Sequence, residues 1–105
     1  MTVYVDNFRR SARVGRNSGR WSHLTADTVQ ELHEFAAKLG LHRDWFQTCK
    51  QKCAPEGMPC THWHYDVVDV RRGEAIRLGA KAITWREMGA LTSARRRAMQ
   101  AGGTK

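Results

Sequence analysis

Residues 28–40 have the sequence TVQELHEFAAKLG, which predicts an amphipathic helix with well-marked ends. Thr28 and Glu31 have the spacing of a capping box, in which each side chain accepts a hydrogen bond from the other residue's backbone N–H. Gly40 is suited to the position that follows the last helical turn. Between these ends, apolar residues recur at helical spacing and give the helix one face for a core: Val29, Leu32, Phe35, Ala36 and Leu39.

Predicted strands and two further helices surround this helix. The strands are expected at residues 2–5, 20–25, 62–68 and 82–84, where β-branched and aromatic side chains recur in extended patterns. Asp69 is placed to cap a second helix, and Thr84 with Glu87 forms a second capping box that opens a third. Strands that alternate with helices predict an α/β fold with a small, mostly parallel sheet and about three helices.

The length of 105 residues predicts one domain. We expect a single α/β domain over residues 1–100, an inserted irregular Cys/His-rich loop at 48–64 and a flexible tail at 101–105. The first residues lack the apolar core of a signal peptide, and no apolar run approaches the roughly 20 residues of a spanning helix. The sequence therefore predicts a cytoplasmic protein, in a bacterium or a phage-infected host, that does not bind a membrane.

Eighteen Lys and Arg residues oppose ten Asp and Glu residues, and the net charge of +8 predicts a polyanionic partner, either nucleic acid or an acidic protein surface. Residues 9–20 are predicted to form an arginine-rich loop, and a second arginine group lies in the third helix. The candidate phosphate-binding residues are Arg9, Arg10, Arg13, Arg16, Arg20, Arg95, Arg96 and Arg97. Trp21, Trp45 and Trp63 are candidates for base stacking or for the core. A solvated basic face is the alternative.

Five candidate metal ligands fall within sixteen residues, from Cys49 to His64. Zinc prefers four thiolate or imidazole ligands in a tetrahedron, and an odd number of cysteines in a reducing compartment argues against a disulfide framework. The favoured zinc ligands are Cys49, Cys53, Cys60 and His62, which would hold down the irregular loop. The alternative is that the cysteines are small apolar packing residues.

A second candidate site combines His23, His64 and Asp66, with Asp6 at the end of the first predicted strand. Imidazole and carboxylate groups can transfer protons near neutral pH or hold a catalytic metal ion. The alternative is structural, with His23 and Tyr65 in the core and Asp66 capping a turn.

Several segments resemble one family of bacterial and phage proteins, catalogued as domain of unknown function 4031. The matching segments are Val3-Tyr4-Val5-Asp6, Trp21-Ser22-His23-Leu24, Ala26-Asp27-Thr28, Glu31-Leu32-His33, Leu39-Gly40, Trp45-Phe46-Gln47, His64-Tyr65-Asp66-Val67 and Arg72 through Leu78-Gly79-Ala80. The resemblance covers roughly residues 1–85. It implies a bacterial or phage origin and supplies no function. The cysteine-bearing loop is an elaboration on the body that the resemblance implies.

The function that the sequence favours most is that of a small basic zinc-binding module, which contacts nucleic acid or another phosphate-bearing partner. A different class is a metal-dependent hydrolase, acting on a phosphodiester or a nucleotide, with His23, His64 and Asp66 at its centre. A third is a phage-type adaptor that binds a host protein.

Overall fold

A six-stranded mixed sheet runs through the computed structural model, which describes residues 2–14, 17–48 and 62–103. The strands are β1 (Val3–Val5), β2 (Arg10–Val14), β3 (Asn17–Ala26), β4 (Phe46–Gln47), β5 (His64–Val68) and β6 (Lys81–Ala82). The helices are α1 (Val29–Lys38), α2 (Asp69–Arg77) and α3 (Trp85–Gly103), with a short 3-10 helix at Arg43–Trp45. The order across the sheet is β4-β5-β3-β1-β6, and β2 also pairs with β3.

The sheet is mostly antiparallel, which corrects the prediction of a mostly parallel one. β3 is antiparallel to β1, β2 and β5, and β4 is antiparallel to β5; β1 and β6 are parallel. The prediction of a loop at residues 9–20 was wrong for the described part of that range, since Arg10–Val14 form β2 and pair antiparallel with the start of β3. Such a pair needs only a short turn, whereas parallel neighbours need a long crossover. The α/β class with three helices is confirmed.

The register of β3 places the connection between β1 and β2. Leu24 pairs with both β1 and β5, and Trp21 pairs with both β2 and β5. β1 and β2 therefore lie end to end along the same side of β3, and residues 6–9 between them run beside its middle. Arg9 adopts a left-handed backbone with φ of 46°, and its N–H donates to Ser22 Oγ at 3.1 Å.

The two faces of the sheet carry different elements, because successive side chains of a strand point to opposite faces. One face packs with α1 and α2 in a core of Val3, Val5, Leu24, Ala26, Leu32, Phe35, Ala36, Leu39, Tyr65, Val67, Ala75 and Ala80. The other face carries His23 and Thr25, and α3 lies against it. Arg95 of α3 donates hydrogen bonds to Thr25 Oγ1 and to the Ala26 carbonyl oxygen. This second face is where the candidate site forms.

Both predicted capping boxes mark helix starts. Thr28 Oγ1 accepts from the N–H of Glu31 at 3.1 Å, at the start of α1. At α3 the exchange is reciprocal, since Thr84 Oγ1 accepts from the N–H of Glu87 and the Glu87 carboxylate accepts from the N–H of Thr84. Asp69 is the first residue of α2 and forms an ion pair with Arg9 at 2.8 Å instead of capping.

Trp45, one of the three tryptophans considered for base stacking or for the core, does not lie in the core, because it is 56% exposed. Phe46 is half-buried and packs against the core. α3 continues to Gly103, into the stretch predicted as a tail. Among the described residues, no helix combines the length and the apolar character needed to cross a membrane.

Candidate metal centre

His23, His64 and Asp66 come together on the face of the sheet that α3 covers. His23 lies directly opposite Asp66 in the antiparallel pairing of β3 with β5. His64 precedes Asp66 by two residues on β5, so the two side chains share a face. One ligand atom from each of the three residues lies within 4.8 Å of the other two. The second site predicted from the sequence is therefore assembled by β-sheet register.

His23 is oriented by the buried carboxylate of Asp6, the residue that follows β1. Asp6 Oδ2 lies 2.7 Å from His23 Nδ1, and Asp6 Oδ1 accepts from the backbone N–H of His23 at 2.8 Å and of Phe8 at 3.2 Å. Arg72 donates to the Asp6 carbonyl oxygen at 2.7 Å and so secures the same turn. With Nδ1 donating to a carboxylate, Nε2 is the nitrogen of His23 that is left to bind a cation.

His64 and Asp66 are held in the same manner, each by one polar atom. His64 Nδ1 donates to the His62 carbonyl oxygen at 2.7 Å, which leaves Nε2 as its ligand atom. Gln47 of β4 donates to Asp66 Oδ2 at 2.7 Å, which leaves Oδ1. These two ligand atoms are 3.2 Å apart. Two zinc ligands at about 2.1 Å in a tetrahedron are about 3.4 Å apart, so the spacing fits a shared cation.

The surroundings of His64 and Asp66 favour the protonated imidazole and the ionised carboxylate. Burial on its own lowers the pKa of His64, but hydrogen bonds to Asp66 and to the His62 carbonyl, together with nearby carboxylates, hold that pKa above its usual range. Burial likewise opposes ionisation of Asp66, yet contacts with His64 and Gln47 hold the pKa of Asp66 below its usual range. Protonated His64 and ionised Asp66 therefore stabilise each other, and a divalent cation would take the position of the His64 proton.

The two histidines of the cluster, His23 and His64, line a cleft of about 270 Å³ between the sheet and α3. Its polar lining includes Asp6, His23, His62 and His64, and its apolar lining includes Phe8, Trp63, Trp85 and Met88. A site with three protein ligands and an open side is typical of catalytic metal centres, because a water molecule or substrate takes the remaining position. Structural zinc sites are closed instead.

Phe8 and Trp85, which were not selected from the sequence, lie beside the cluster. Phe8 stacks on the His23 ring at 5.2 Å between centroids, and Trp85 contacts Phe8 at 6.5 Å. Phe8 is 40% exposed and Trp85 is 51% exposed. Trp85 directly follows the capping residue Thr84, but no sequence pattern shows which strand that end of the helix faces.

The predicted zinc ligands fall largely outside the described residues, since Cys49, Cys53 and Cys60 all lie between residues 48 and 62. His62 is described: it lines the cleft, and its carbonyl oxygen orients His64. Burial, and after it the charge of Arg96, lowers the pKa of the His62 imidazole. The zinc site of the cysteine-bearing loop stays a prediction.

The candidate arginines differ in their surroundings. Arg9 binds Asp69 through two hydrogen bonds, and Arg95 lies over the Trp63 ring at 3.9 Å. The exposed members of the set are Arg9, Arg10, Arg13, Arg20, Arg96 and Arg97. Arg16 lies outside the described residues. Phosphate binding by these arginines stays a prediction.

Comparison with known proteins identifies a family. A family model described as "Protein of unknown function (DUF4031)" matches residues 3–102, nearly the whole chain. No curated protein and no solved structure matches the chain.

Proposed function

The chain belongs to the DUF4031 family of proteins of unknown function, and we propose that it is a metal-dependent hydrolase of phosphodiesters or nucleotides. The cation would be held by His23 Nε2, His64 Nε2 and Asp66 Oδ1. One observation carries the proposal: each ligand residue uses its other polar atom in a hydrogen bond of 2.7 Å, to Asp6, the His62 carbonyl and Gln47 respectively. Outer partners of this kind fix the orientation and tautomer of metal ligands.

The composition of the cluster supports a divalent transition metal ion. Two imidazoles and one carboxylate form a catalytic zinc set, and the same set with open positions also holds iron. Mg²⁺ and Ca²⁺ prefer all-oxygen ligands and suit this cluster less well. Zinc is therefore the cofactor that we propose, at the His/Asp cluster in addition to the site predicted in the cysteine-bearing loop.

A cation in this position would supply hydrolytic chemistry at the open side of the cluster. It would lower the pKa of a water molecule and polarise a phosphoryl oxygen of the substrate. The water oxygen forms a bond to phosphorus, the bond from phosphorus to the leaving oxygen breaks, and the proton lost by water ends on that leaving oxygen. No oxidant or reductant is needed, so the reaction balances with water as the co-reactant.

The charge of the protein supports an anionic substrate. The net charge of +8 attracts polyanions, and the charges of Arg95 and Arg96 act on His62 at the cleft. The negative charge of a phosphoester bound at the cluster would be attracted by the cation and by the guanidinium groups of Arg95 and Arg96. Binding by such contacts weakens as salt concentration rises.

The test is hydrolysis of bis(p-nitrophenyl) phosphate by the full chain, with Zn²⁺, Mn²⁺ or a chelator added. Turnover is expected with one of the metal ions and is abolished by the chelator. His64→Gln and Asp66→Asn each remove one ligand and are expected to lower turnover at least 100-fold, since loss of an outer partner alone costs about 10–100-fold. The matched controls are His42→Gln and Asp44→Asn, at exposed positions away from the cluster, and these retain turnover.

Turnover that survives both ligand substitutions would contradict the proposal. The binding-module and adaptor hypotheses are separated by the same variants. A module that binds phosphate through arginines keeps its affinity when His64 is replaced, and an adaptor keeps its protein partner after nuclease treatment.

A further inference from the structure

We infer that the cleft beside the metal cluster binds a single nucleotide, with its base against the aromatic wall formed by Phe8, Trp63 and Trp85. The inference rests on the proposed function, because the phosphate of that nucleotide would lie at the cluster. It goes further by naming the group that is recognised: a planar base next to the scissile phosphoester.

The first observation is an exposed aromatic column, formed by Trp85 and Phe8, that ends at the proposed metal ligand His23. Trp85 is 51% exposed and contacts Phe8, which is 40% exposed and stacks on His23. Exposed apolar side chains that cluster beside polar groups are a feature of ligand-binding grooves. The column lines the cleft, so a ligand bound at the cluster would lie beside these rings.

Trp63 supplies a second, rigid part of the wall. The guanidinium of Arg95 lies 3.9 Å from the Trp63 ring centroid, and Thr25 Oγ1 donates to the Trp63 carbonyl oxygen at 3.0 Å. Arg95 is itself bonded to Thr25. Trp63 is therefore fixed before any ligand binds, which lowers the entropic cost of stacking a base on it.

A glycine on α3 leaves the space that a base needs. Gly89 lies in the body of α3, where glycine destabilises a helix by roughly 0.5–1 kcal/mol relative to alanine. It lines the cleft, and a Cβ atom at this position would meet no other atom within 4 Å. Gly89 therefore leaves open space on the α3 side of the cleft, which a bound base could occupy.

The chemistry of the cleft distinguishes a nucleotide from other planar ligands. Aromatic rings stack on every base without regard to its hydrogen-bonding edge, and the cluster and arginines favour a phosphate. A cleft of about 270 Å³ is slightly smaller than the usual range for drug-sized ligands, which suits one base better than an extended duplex.

The test is isothermal titration calorimetry of the full chain with adenosine 5′-monophosphate and with ribose 5-phosphate, which carries the same phosphate without a base. The adenine nucleotide is expected to bind at least tenfold more tightly. Trp85→Leu is expected to weaken its binding by about 5- to 140-fold, the range for loss of one stacked ring, and to leave ribose 5-phosphate unchanged. Trp45→Leu, at an exposed tryptophan that does not line the cleft, is the matched control.

Gly89→Leu is the second variant, because it fills the cleft and leaves the metal ligands and the aromatic wall in place. It is expected to abolish nucleotide binding and to retain Co²⁺ binding at the cluster. Equal affinity for the two phosphates, or unchanged nucleotide affinity in both variants, would overturn the inference. Absence of Co²⁺ binding in the chain with Cys49, Cys53 and Cys60 replaced by serine would instead overturn the proposed function, so the two failures are distinguishable.

The same titration with a short single-stranded oligothymidylate identifies the source of the nucleotide. Affinity at least tenfold above that of a mononucleotide supports recognition of a nucleotide within a strand. Comparable affinity supports a free nucleotide as the ligand. Failure of both ligands to bind contradicts the inference.

Discussion

Asp6 and His23 are joined by a contact of 2.7 Å between Asp6 Oδ2 and His23 Nδ1, and the Asp6 side chain is only 1% exposed. A buried carboxylate in this position accepts from Nδ1 and fixes the tautomer in which Nε2 carries the lone pair. The register of β3 creates the contact, because the connection between β1 and β2 runs beside His23. The contact between Asp6 and His23 therefore sets which nitrogen of His23 is available to a cation at the cluster.

Asp6→Asn is predicted to weaken Co²⁺ binding about 10–100-fold without unfolding the protein. The amide N–H₂ donates where the carboxylate accepted, so His23 accepts at Nδ1 and carries its proton on Nε2. The cost in the free energy of unfolding is about 1–3 kcal/mol, from the lost charge-assisted bonds. Co²⁺ titration and chemical denaturation of the same sample measure both effects. Unchanged Co²⁺ affinity would show that Asp6 does not set the tautomer.

Gln47→Leu is predicted to weaken Co²⁺ binding by about tenfold, since it removes the donor that holds Asp66 Oδ2 at 2.7 Å. Without this donor, the cation has to fix the orientation of the Asp66 carboxylate as it binds, and this cost lowers the Co²⁺ affinity. Gln30→Leu is the matched control, because Gln30 lies on the exposed face of α1 and its side chain donates to Glu34. An equal effect of the two substitutions would rule out a positioning role for Gln47.

Leu32→Ala is predicted to lower the free energy of unfolding by about 2–5 kcal/mol, because Leu32 is fully buried between α1 and the sheet. Leu78→Ala, at a leucine that is 53% exposed, serves as the control and is expected to cost much less. Urea denaturation followed by circular dichroism measures both. Similar losses of unfolding free energy in the two variants would contradict a core that contains Leu32 and leaves Leu78 exposed.

His33 is predicted to contribute a loss of stability as the pH drops below about 6.5, whereas His64, whose pKa lies above its usual range, contributes in the opposite direction. Burial, and after it the charge of Arg43, holds the pKa of His33 below its usual value, and the Tyr65 hydroxyl lies 2.7 Å from its Nδ1. The unfolded chain therefore takes up a proton in a pH range where folded His33 stays neutral, and this favours unfolding. His33→Gln is expected to flatten that part of the profile, as measured by denaturation from pH 7.5 to about 5. An unchanged slope would contradict this assignment.

The helices could be predicted from the sequence because their signals are local. Thr84 and Glu87 are three residues apart, and the hydrogen bonds that they exchange need no information from elsewhere in the chain. The sheet was harder to predict, since pairing partners are distant. Arg10 and Trp21 pair across the hairpin, but arginine, serine and glycine do not form the apolar alternation that identifies a strand.

The members of the site were predicted, whereas their geometry was not. His23, His64 and Asp66 were selected because their side chains suit metal and proton chemistry. That His23 faces Asp66 follows from the register of β3 with β5, which no local pattern specifies. The aromatic wall was predicted in part: Trp63 lies in the cleft, whereas Trp85 and Phe8 reach it through the packing of α3 and the turn after β1.

The measurement that tests the central claim most directly is the absorption spectrum of the chain titrated with Co²⁺, after Cys49, Cys53 and Cys60 have been replaced by serine. Without thiolates, one equivalent of Co²⁺ is expected to give the visible bands of a nitrogen- and oxygen-ligated ion, and His64→Gln is expected to remove them. Thiolate charge-transfer bands in the cysteine-containing chain would report separately on the zinc site predicted in the loop. Absence of Co²⁺ binding in the serine variant, while it remains folded, would contradict a metal centre at His23, His64 and Asp66.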